Sequence, residues 1–234
     1  MTQKKDAVVL LSGGLDSSTC LYEAKAAGFS VIAMAFDYGQ RHKIELSSAE
    51  KIAKTAEVKE FVIAPLNLRV FGASALTSDE IHVPKGGTDL DKNHHIPVTY
   101  VPARNLIFLS MATSLAEARG ASTVYIGVNA LDYSGYPDCR PEFIEAFKKT
   151  ADLATRAGQQ GSALQIITPL IDKTKSEIVK RAVELNVPLE LTWSCYDPVL
   201  IDGKLVPCGQ CDSCILREKG FHAAGYSDPA LPNI

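Results

Sequence analysis

Two groups of residues in this chain have the types and spacing to do chemistry. The first is the run Leu-Leu-Ser-Gly-Gly-Leu-Asp-Ser-Ser-Thr at residues 10–19, which overlaps the end of the apolar run Ala7 to Leu11. Glycines permit unusual backbone angles, and the first turn of the helix that follows leaves N–H groups unpaired. These N–H groups, the serine hydroxyls and the positive end of the helix dipole would together bind an anion such as a polyphosphate.

The second group is a set of four cysteines. Cys195 is followed by Cys208, Cys211 and Cys214, and the last three form two overlapping Cys-x-x-Cys steps. Four thiolates suit a closed tetrahedral zinc site with no open position for water, so such a site would be structural. Zinc binding is worth about 10 kcal/mol in small zinc domains and could order a segment with few apolar residues. An iron–sulfur cluster and reduced free thiols are the alternatives.

The glycine-rich bend also has a purely structural interpretation, because Gly-Gly followed by Asp-Ser is an ordinary turn and helix cap. It is not a Walker A loop, since no Gly-Lys-Ser/Thr follows. The segment Ser12-Gly13-Gly14-Leu15-Asp16-Ser17 instead resembles the PP-loop of the adenine nucleotide α-hydrolase-like ATP pyrophosphatases. That resemblance implies a loop that holds the β and γ phosphates of ATP while the α phosphate is attacked, which leaves an adenylated intermediate and pyrophosphate.

Composition indicates a globular protein. The chain has 234 residues, of which 46% are hydrophobic and 22% charged, which fits one domain or one domain with a small appendage. Lysine and arginine number 24 against 27 aspartates and glutamates, so the formal charge is −3. This balance argues against a protein that holds long nucleic acid by electrostatic attraction, and we expect no nucleic-acid partner.

The apolar runs are short, and the longest, such as Val31 to Phe36, are far from the length of a membrane span. The segment Met1 to Asp6 is polar and lacks the apolar core of a secretion signal. We therefore expect a cytoplasmic protein with no membrane partner. Its six cysteines would then be metal ligands or free thiols rather than disulfides.

Strand-like and helix-like segments alternate along the chain. The predicted strands are Ala7 to Leu11, Val31 to Phe36, Glu60 to Ile63, Thr123 to Val128 and Leu164 to Ile167. The predicted helices are Asp16 to Ala27, Lys43 to Glu57, Asn105 to Arg119, Pro141 to Ala157 and Lys175 to Asn186. This alternation predicts a three-layer, Rossmann-like α/β fold whose parallel sheet is covered on both faces. Ligands would bind beyond the carboxyl ends of the strands, where the bend lies.

Two segments interrupt the alternation. Residues 77–97 are polar, and we predict a long mobile loop there. Its paired His94 and His95 are only two potential metal ligands, which is more typical of solvated loop residues. Residues 193–234 are rich in Cys, Pro and Gly. We predict a small zinc-binding C-terminal region appended to a PP-loop domain of residues 1–192.

Further motifs point to one family. They are Asp37-Tyr38-Gly39-Gln40-Arg41-His42, Val101-Pro102-Ala103-Arg104-Asn105 and Thr192-Trp193-Ser194-Cys195-Tyr196. With the bend and the cysteines, they resemble the 7-cyano-7-deazaguanine synthase family from about residue 7 to residue 226. The resemblance implies a homodimeric, zinc-containing ligase of queuosine biosynthesis that converts 7-carboxy-7-deazaguanine, ammonia and ATP into 7-cyano-7-deazaguanine. The carboxylate would be adenylated and trapped as an amide, and the amide oxygen would then be activated and lost.

Within that scheme, the ATP contacts are expected in the bend and at the sheet edge. They are Leu11, Ser12, Gly13, Gly14, Leu15, Asp16, Ser17, Ser18, Thr19, Phe36, Lys173 and Lys175. The predicted catalytic residues are Asp16, Ser17, Arg104 and Lys175, because adenylation depends on positioning and neutralising the leaving pyrophosphate. Asp16 is expected either to cap the helix or to help place Mg²⁺.

The two lysines have a structural alternative. Lys173 and Lys175 lie at the start of a predicted helix, where Thr174 with Glu177 would form a capping box at a solvated helix start. Arg104 also precedes a predicted helix, and its role is open in the same way.

The loop at residues 128–140 supplies the candidate contacts to the deazaguanine. Such a base presents two adjacent N–H donors that a carboxylate accepts side by side, and its flat ring stacks on an aromatic side chain. We predict Asp132 or Asp138, with Tyr133 or Tyr136, in these roles. A loop made of turn-forming residues is the alternative. Cys139 lies in the same loop, but adenylation needs no covalent enzyme intermediate.

Two other functions share these motifs. A PP-loop enzyme that modifies tRNA, by thiolation or lysidine formation, would use the same adenylation, and a nucleotide-binding module would have no catalysis. The acidic balance disfavours the RNA enzyme. We also expect free ammonia as the nitrogen source, because a glutaminase domain does not fit beside this fold in 234 residues.

Overall fold

Five parallel strands form the central sheet of the computed structural model, which describes residues 4–88, 96–131 and 135–231. The strands are β1 (Asp6–Leu10), β2 (Ser30–Asp37), β3 (Glu60–Pro65), β4 (Thr123–Tyr125) and β5 (Gln165–Ile167). They lie in the order β3-β2-β1-β4-β5. The predicted parallel sheet is confirmed, with β4 and β5 shorter than the apolar runs indicated.

Helices cover the sheet. They are α1 (Leu15–Ala26), α2 (Ile44–Thr55), α3 (Arg104–Arg119), α4 (Pro141–Ala154), α5 (Arg156–Gln159), α6 (Lys175–Glu184) and α7 (Asp212–Ala224), with 3₁₀ turns at Leu68–Phe71, Pro137–Cys139 and Leu189–Leu191. The single helix predicted for Pro141 to Ala157 is wrong, because Thr155 has extended angles there and its hydroxyl accepts the Gly158 N–H to begin α5.

The two faces of the sheet have separate cores, because alternate residues of a strand point to opposite faces. On one face, Val8 of β1 belongs to the same buried cluster as Leu109 of α3. On the other face, Val9 belongs to a cluster with Leu21 of α1 and Ile178 of α6. Strands β1, β2 and β4 are buried on both sides, as in other parallel sheets, and the predicted three-layer fold is confirmed.

Strand β1 lies in the middle of the sheet, with β2 on one side and β4 on the other. The order in which strands are added to the sheet therefore changes direction at β1. The carboxyl end of β1 is therefore the switch point of the sheet, where open α/β folds bind ligands. Gly127 helps to keep this place open. A Cβ at residue 127 would lie 3.0 Å from the Asp16 carbonyl oxygen and 3.1 Å from the Ser17 nitrogen. Glycine thus lets the chain after β4 approach the first turn of α1.

The C-terminal region contains elements that the sequence patterns did not predict. Strands β6 (Val199–Ile201) and β7 (Lys204–Val206) form a hairpin, whose turn has positive φ at Asp202 and Gly203. Helix α7 packs on α6, and Phe221 is buried in the core shared by α1 and α6. The cysteine-bearing region is thus attached to the main core, while the boundary at residues 192/193 stays a prediction. Within the described ranges, no helix combines the length and apolar character of a membrane span.

Candidate functional site

A cavity of about 280 Å³ lies at the carboxyl ends of the strands. Its walls come from the bend after β1, the end of β2, the starts of α2, α3 and α6, the segment after β4, and residues 193–217. The predicted site residues that line it are Leu11, Ser12, Gly14, Leu15, Asp16, Ser17, Phe36, Arg104, Tyr136 and Lys175. Residues chosen from separate parts of the sequence therefore meet around one cavity.

The bend packs against α2 and against residue 193. Gly13 has a φ of 80°, and a Cβ there would lie 2.6 Å from both the Ala49 nitrogen and the Glu45 carbonyl oxygen. Its own carbonyl accepts the Trp193 N–H at 2.8 Å. Gly13 therefore lies behind the cavity, where its missing side chain lets α2 approach, and Gly14 begins α1 as its N-cap.

Two serine hydroxyls face the cavity from this bend. The Oγ atoms of Ser12 and Ser17 are 3.0 Å apart, and the Ser17 Oγ also accepts the Ser12 N–H at 3.1 Å. The Ser17 hydroxyl lies 3.2 Å from the Gly14 carbonyl, to which it can donate. This network holds both hydroxyls in place before any ligand binds, which is the property that a phosphate site needs.

Ser18 and Thr19 are placed differently from the expectation that they contact ATP. Both are fully buried within α1, and neither side chain lines the cavity. The Ser18 hydroxyl donates to the Gly14 carbonyl at 2.7 Å and the Thr19 hydroxyl to the Leu15 carbonyl at 2.8 Å. Each hydroxyl donates its one proton to the carbonyl oxygen four residues earlier, so no hydroxyl proton is left to donate to a phosphate.

Lys175 and Asp16 are joined across the cavity. The Lys175 Nζ lies 3.0 and 2.9 Å from the two Asp16 carboxylate oxygens, and the lysine side chain is only 15% exposed. The capping box is present as well, with the Thr174 N–H donating to the Glu177 Oε2 at 2.8 Å. The predicted capping box is therefore confirmed, and Lys175 also lines the cavity, while its contact with pyrophosphate stays a prediction. Asp16 makes no side-chain cap to α1.

Lys173 does not line the cavity. Its carbonyl accepts a hydrogen bond from the Asn129 side chain, which also donates to the Leu170 carbonyl at 3.0 Å. The backbone of Lys173 thus fixes the segment that leads to α6, and of the two predicted lysines only Lys175 reaches the cavity.

Arg104 enters the cavity from the start of α3. Its guanidinium carbon lies 5.9 Å from the ring centre of Tyr38 and 6.0 Å from that of Phe108. Burial opposes its charge, but the surrounding phenol groups and Asp138 raise its pKa. The side chain therefore stays a cation in a partly apolar place, suited to a carboxylate or phosphate.

Asp138 makes hydrogen bonds that support the fold. Its Oδ2 accepts the backbone N–H of Asn105 at 2.9 Å, and the Asn105 side chain donates to the Asp138 carbonyl at 3.3 Å. Asp138 is buried and does not line the cavity, so it holds the start of α3 rather than facing a substrate. The other predicted substrate contacts, Asp132 and Tyr133, lie outside the described residues. Tyr136 lines the cavity.

Flat rings form one wall. The rings of Phe36 and Phe108 stack with centres 3.8 Å apart and an angle of 5° between planes, and Tyr38 meets Phe108 edge-on at 5.6 Å. Such a wall can pack against a heterocyclic base.

Glu45 is a cavity residue that the sequence analysis missed. It lies in the first turn of α2, and burial raises the pKa of its carboxyl to about 7 while Arg104 opposes that rise. The motif at residues 37–42 ends just before α2, and Glu45 follows it by about one helical turn. This position next to the motif is the feature of the sequence that could have identified Glu45.

The four cysteines meet as predicted. Their sulfur atoms all lie within 4.8 Å of one another, whereas a tetrahedral zinc site with bonds of about 2.3 Å would place them about 3.8 Å apart. The Cys195 sulfur accepts the Cys208 N–H and the Cys208 sulfur accepts the Cys211 N–H, each at 3.3 Å. Backbone N–H groups of this kind stabilise thiolates that bind a metal. The cluster can hold a metal ion.

Residues 83, 85 and 86 contact the cysteine cluster or residues close to it in the sequence. The Gly86 N–H donates to the Gln210 carbonyl at 2.8 Å, and the Lys85 Nζ lies 2.7 Å from the Asp197 carboxylate. Val83 packs in the same apolar cluster as the cysteines. This part of the predicted mobile loop is therefore anchored, while His94 and His95 lie outside the described residues.

The segment around Cys195 is also a wall of the cavity. Trp193, Ser194 and Tyr196 line it, together with Arg217 of α7. The buried Arg217 guanidinium pairs with Asp228 at 2.5 and 2.9 Å and donates to the Ser194 Oγ at 3.1 Å. The cysteine cluster and Arg217 thus hold the same stretch of wall from two sides.

Comparisons with known proteins agree with this arrangement. A family model described as "Queuosine biosynthesis protein QueC" matches residues 6–225. A 7-cyano-7-deazaguanine synthase of Paramagnetospirillum magneticum is 56% identical, over 97% of this chain and 98% of the relative. One of Myxococcus xanthus is 54% identical, over 96% of each.

A solved structure gives a likeness of fold. It is a complex of a 4-thiouridine synthetase with RNA and bound ATP, which superposes with a TM-score of 0.51 at 18% identity. The superposition covers 94% of this chain and 50% of that one.

Proposed function

Because the chain belongs to the QueC family of queuosine biosynthesis, whose members here are named 7-cyano-7-deazaguanine synthase, we propose that it is an ATP-dependent carbon–nitrogen ligase. Its substrates would be 7-carboxy-7-deazaguanine, ammonia and ATP. The observation that carries the proposal is the meeting, around one cavity, of the phosphate-type bend, the cations Lys175 and Arg104, and a wall of flat rings.

The first step is activation of the acid. A carboxylate oxygen attacks the α phosphorus of ATP, a P–O bond forms, and the bond to the β phosphate breaks with its electron pair leaving on pyrophosphate. Backbone N–H groups of the bend and the hydroxyls of Ser12 and Ser17 would hold the departing phosphates. Lys175, oriented by Asp16, would neutralise the charge that develops on them.

The second step forms the amide. Ammonia attacks the acyl carbon, the C–N bond forms, AMP leaves with the first oxygen of the acid, and the added nitrogen loses one proton to solvent. The remaining oxygen then attacks a second ATP in the same way, and loss of AMP with the two amide protons gives the nitrile. One cavity serves both activations because each joins a substrate oxygen to an α phosphate.

Two metal ions belong to this proposal. The cysteine cluster fits zinc, which would cross-link the chain that forms the wall from Trp193 to Tyr196. Mg²⁺ keeps most of its ligands from phosphates and water, and Asp16 is a carboxylate beside the phosphate bend that can complete such a set.

The alternatives are not favoured, since relatives over nearly the whole chain are named as synthases of a small molecule. A homodimer in the cytoplasm that requires no nucleic acid remains our expectation for this protein. Sedimentation of the purified protein tests the dimer directly.

The function is tested by measuring AMP, pyrophosphate and product with each substrate omitted in turn. We expect nitrile formation only with acid, ammonia and ATP together. Glutamine should not replace ammonia once free ammonia is rigorously removed. Stimulation of pyrophosphate release by tRNA alone would contradict the proposal.

A further inference from the structure

Glu45 has no role in the chemistry described above, yet it is built into the cavity. It lies in the first turn of α2, and this turn is pressed against the phosphate bend at Gly13. In the described residues, Asp16 and Glu45 are the carboxylates that line the cavity. Asp16 forms an ion pair with Lys175, so the surroundings of the Glu45 carboxyl differ from those of Asp16.

That environment is partly apolar, and the cation that acts on Glu45 among the described residues is Arg104. The groups that act on Glu45 are Arg104 from α3 and Tyr38 from the end of β2. Burial raises the pKa of Tyr38 well above its ordinary value, so its phenol stays neutral. Elsewhere around the cavity, the ionisable side chains are Tyr136, Tyr196, Cys139, Arg217 and the Asp16–Lys175 pair. Glu45 itself has a pKa of about 7, close to the working pH of a cytoplasmic enzyme.

The proposed ligase reaction needs a proton acceptor here. In neutral water ammonia is mostly ammonium, which has no lone pair and cannot attack an acyl carbon. A group whose pKa lies near the operating pH is the most effective general base. Desolvation also favours neutral forms, since it raises the pKa of a carboxyl and lowers that of an ammonium.

We propose that Glu45 binds the incoming ammonium ion in this cavity and removes its proton. An N–H bond of ammonium breaks, an O–H bond forms on Glu45, and the freed lone pair attacks the acyl adenylate. The C–N bond forms as the C–O bond to AMP breaks, the electron pair leaves on AMP, and the added nitrogen gives a further proton to water. Arg104 favours the charged form of Glu45, which is the form that binds ammonium and can accept its proton. This inference rests on the proposed ligase function.

The test separates activation from amide formation with the variant Glu45→Gln. Exchange of labelled pyrophosphate into ATP, with acid but no ammonia, reports activation alone. Product formation is then followed with ammonium and with hydroxylamine, which is largely neutral at pH 7 and needs no prior deprotonation. Glu50 lies on the exposed side of the same helix, so Glu50→Gln is the matched control.

We expect Glu45→Gln to keep the exchange rate within about threefold and to lose about 10²- to 10⁴-fold of the ammonium reaction at pH 7. The loss should shrink as pH rises, because free ammonia becomes abundant. The hydroxylamine reaction should fall by less than about tenfold. Glu45→Asp, which keeps a carboxyl, should retain more of the ammonium reaction than Glu45→Gln, and Glu50→Gln should match the unchanged protein.

Two results would overturn the inference. If Glu45→Gln loses exchange, ammonium and hydroxylamine reactions equally while remaining folded by thermal unfolding, Glu45 serves ATP or the acid. If it keeps the full ammonium reaction at pH 7, no base is needed at this position. Absence of acid-dependent exchange in the unchanged protein would instead overturn the ligase function itself, and this inference with it.

Discussion

Lys175, the first residue of α6, donates to both carboxylate oxygens of Asp16 in the first turn of α1, at 3.0 and 2.9 Å. The two residues are 159 positions apart in the sequence, and their pairing brings two helix starts to one cavity. A lysine held by a carboxylate keeps a fixed position at the cavity wall and stays positively charged. Under the proposed function, this pairing would pre-position the lysine as a cation for the departing pyrophosphate.

Lys175→Ala should therefore slow activation of the acid. We expect pyrophosphate exchange to fall by about 10²- to 10³-fold, because a donor aimed at developing charge is lost. Lys180→Ala, on the exposed side of the same helix, is the control and should leave the rate unchanged. Equal exchange rates for the two variants would show that Lys175 does not contribute to activation of the acid.

Gly220→Ala should disturb the same lysine from behind. A Cβ at residue 220 would lie 2.3 Å from the Lys175 Cγ and 3.0 Å from its Cβ, so either the lysine or α7 must move. We expect about 1–3 kcal/mol of lost stability in urea unfolding and slower exchange. Lys219→Ala, at an exposed neighbouring position, should change neither. Full stability and full exchange in Gly220→Ala would show that this contact does not position the lysine.

Asp228→Asn should destabilise the fold through Arg217. The pair is buried, with the side chains 6% and 4% exposed, and the guanidinium would lose its charged partner. We expect a loss of about 3–5 kcal/mol in the free energy of unfolding, since an uncompensated buried charge remains. The exposed Glu218→Gln provides the comparison in the same urea titration. A loss below about 1 kcal/mol, the value typical of surface pairs, would contradict this role.

The cysteine cluster gives a prediction about metal content. Protein purified without oxygen should contain about one zinc and no iron, as measured by elemental analysis. Removing the metal should lower the melting temperature and slow pyrophosphate exchange, because Cys195 belongs to the chain that lines the cavity beside Trp193 and Tyr196. Visible absorbance from iron and sulfide would contradict zinc. An unchanged melting temperature after metal removal would contradict its structural role.

Glu45 should make stability depend on pH. Its pKa rises from 4.5 to about 7 on folding, so the folded state binds the proton more tightly than the unfolded state. The unfolded carboxyl is charged above about pH 4.5, and the folded protein then loses stability as pH rises towards 7. Replacing Glu45 by Gln should therefore add about 1–3 kcal/mol more stability at pH 8 than at pH 4, relative to the unchanged protein. An effect of opposite sign would show that the carboxyl is stabilised in its charged form.

The sheet and the bend were predictable because their signals are local. Glycines, hydroxyls and apolar runs next to one another determine β1, the turn and α1, and Cys-x-x-Cys spacing largely determines the metal-type cluster. Where the structure places a predicted side chain away from the cavity wall, the reason can be a partner far away in sequence. Asp138 looked like a substrate contact, but its carboxylate caps α3 at Asn105.

Glu45 and α7 were missed for the same reason. The burial of Glu45 depends on α2 meeting the bend at Gly13, which no periodicity reveals. Helix α7 follows a segment rich in Cys, Pro and Gly, and its packing on α6 depends on the small size of Gly220. Long-range packing thus decided which polar residues reach the cavity.

The central claim is that each oxygen of the acid leaves on AMP. It is tested most directly with the acid labelled by oxygen-18 in both carboxylate positions, followed by mass spectrometry of the nucleotide products. We expect one labelled oxygen in every AMP formed and unlabelled pyrophosphate. Labelled inorganic phosphate together with ADP would contradict it.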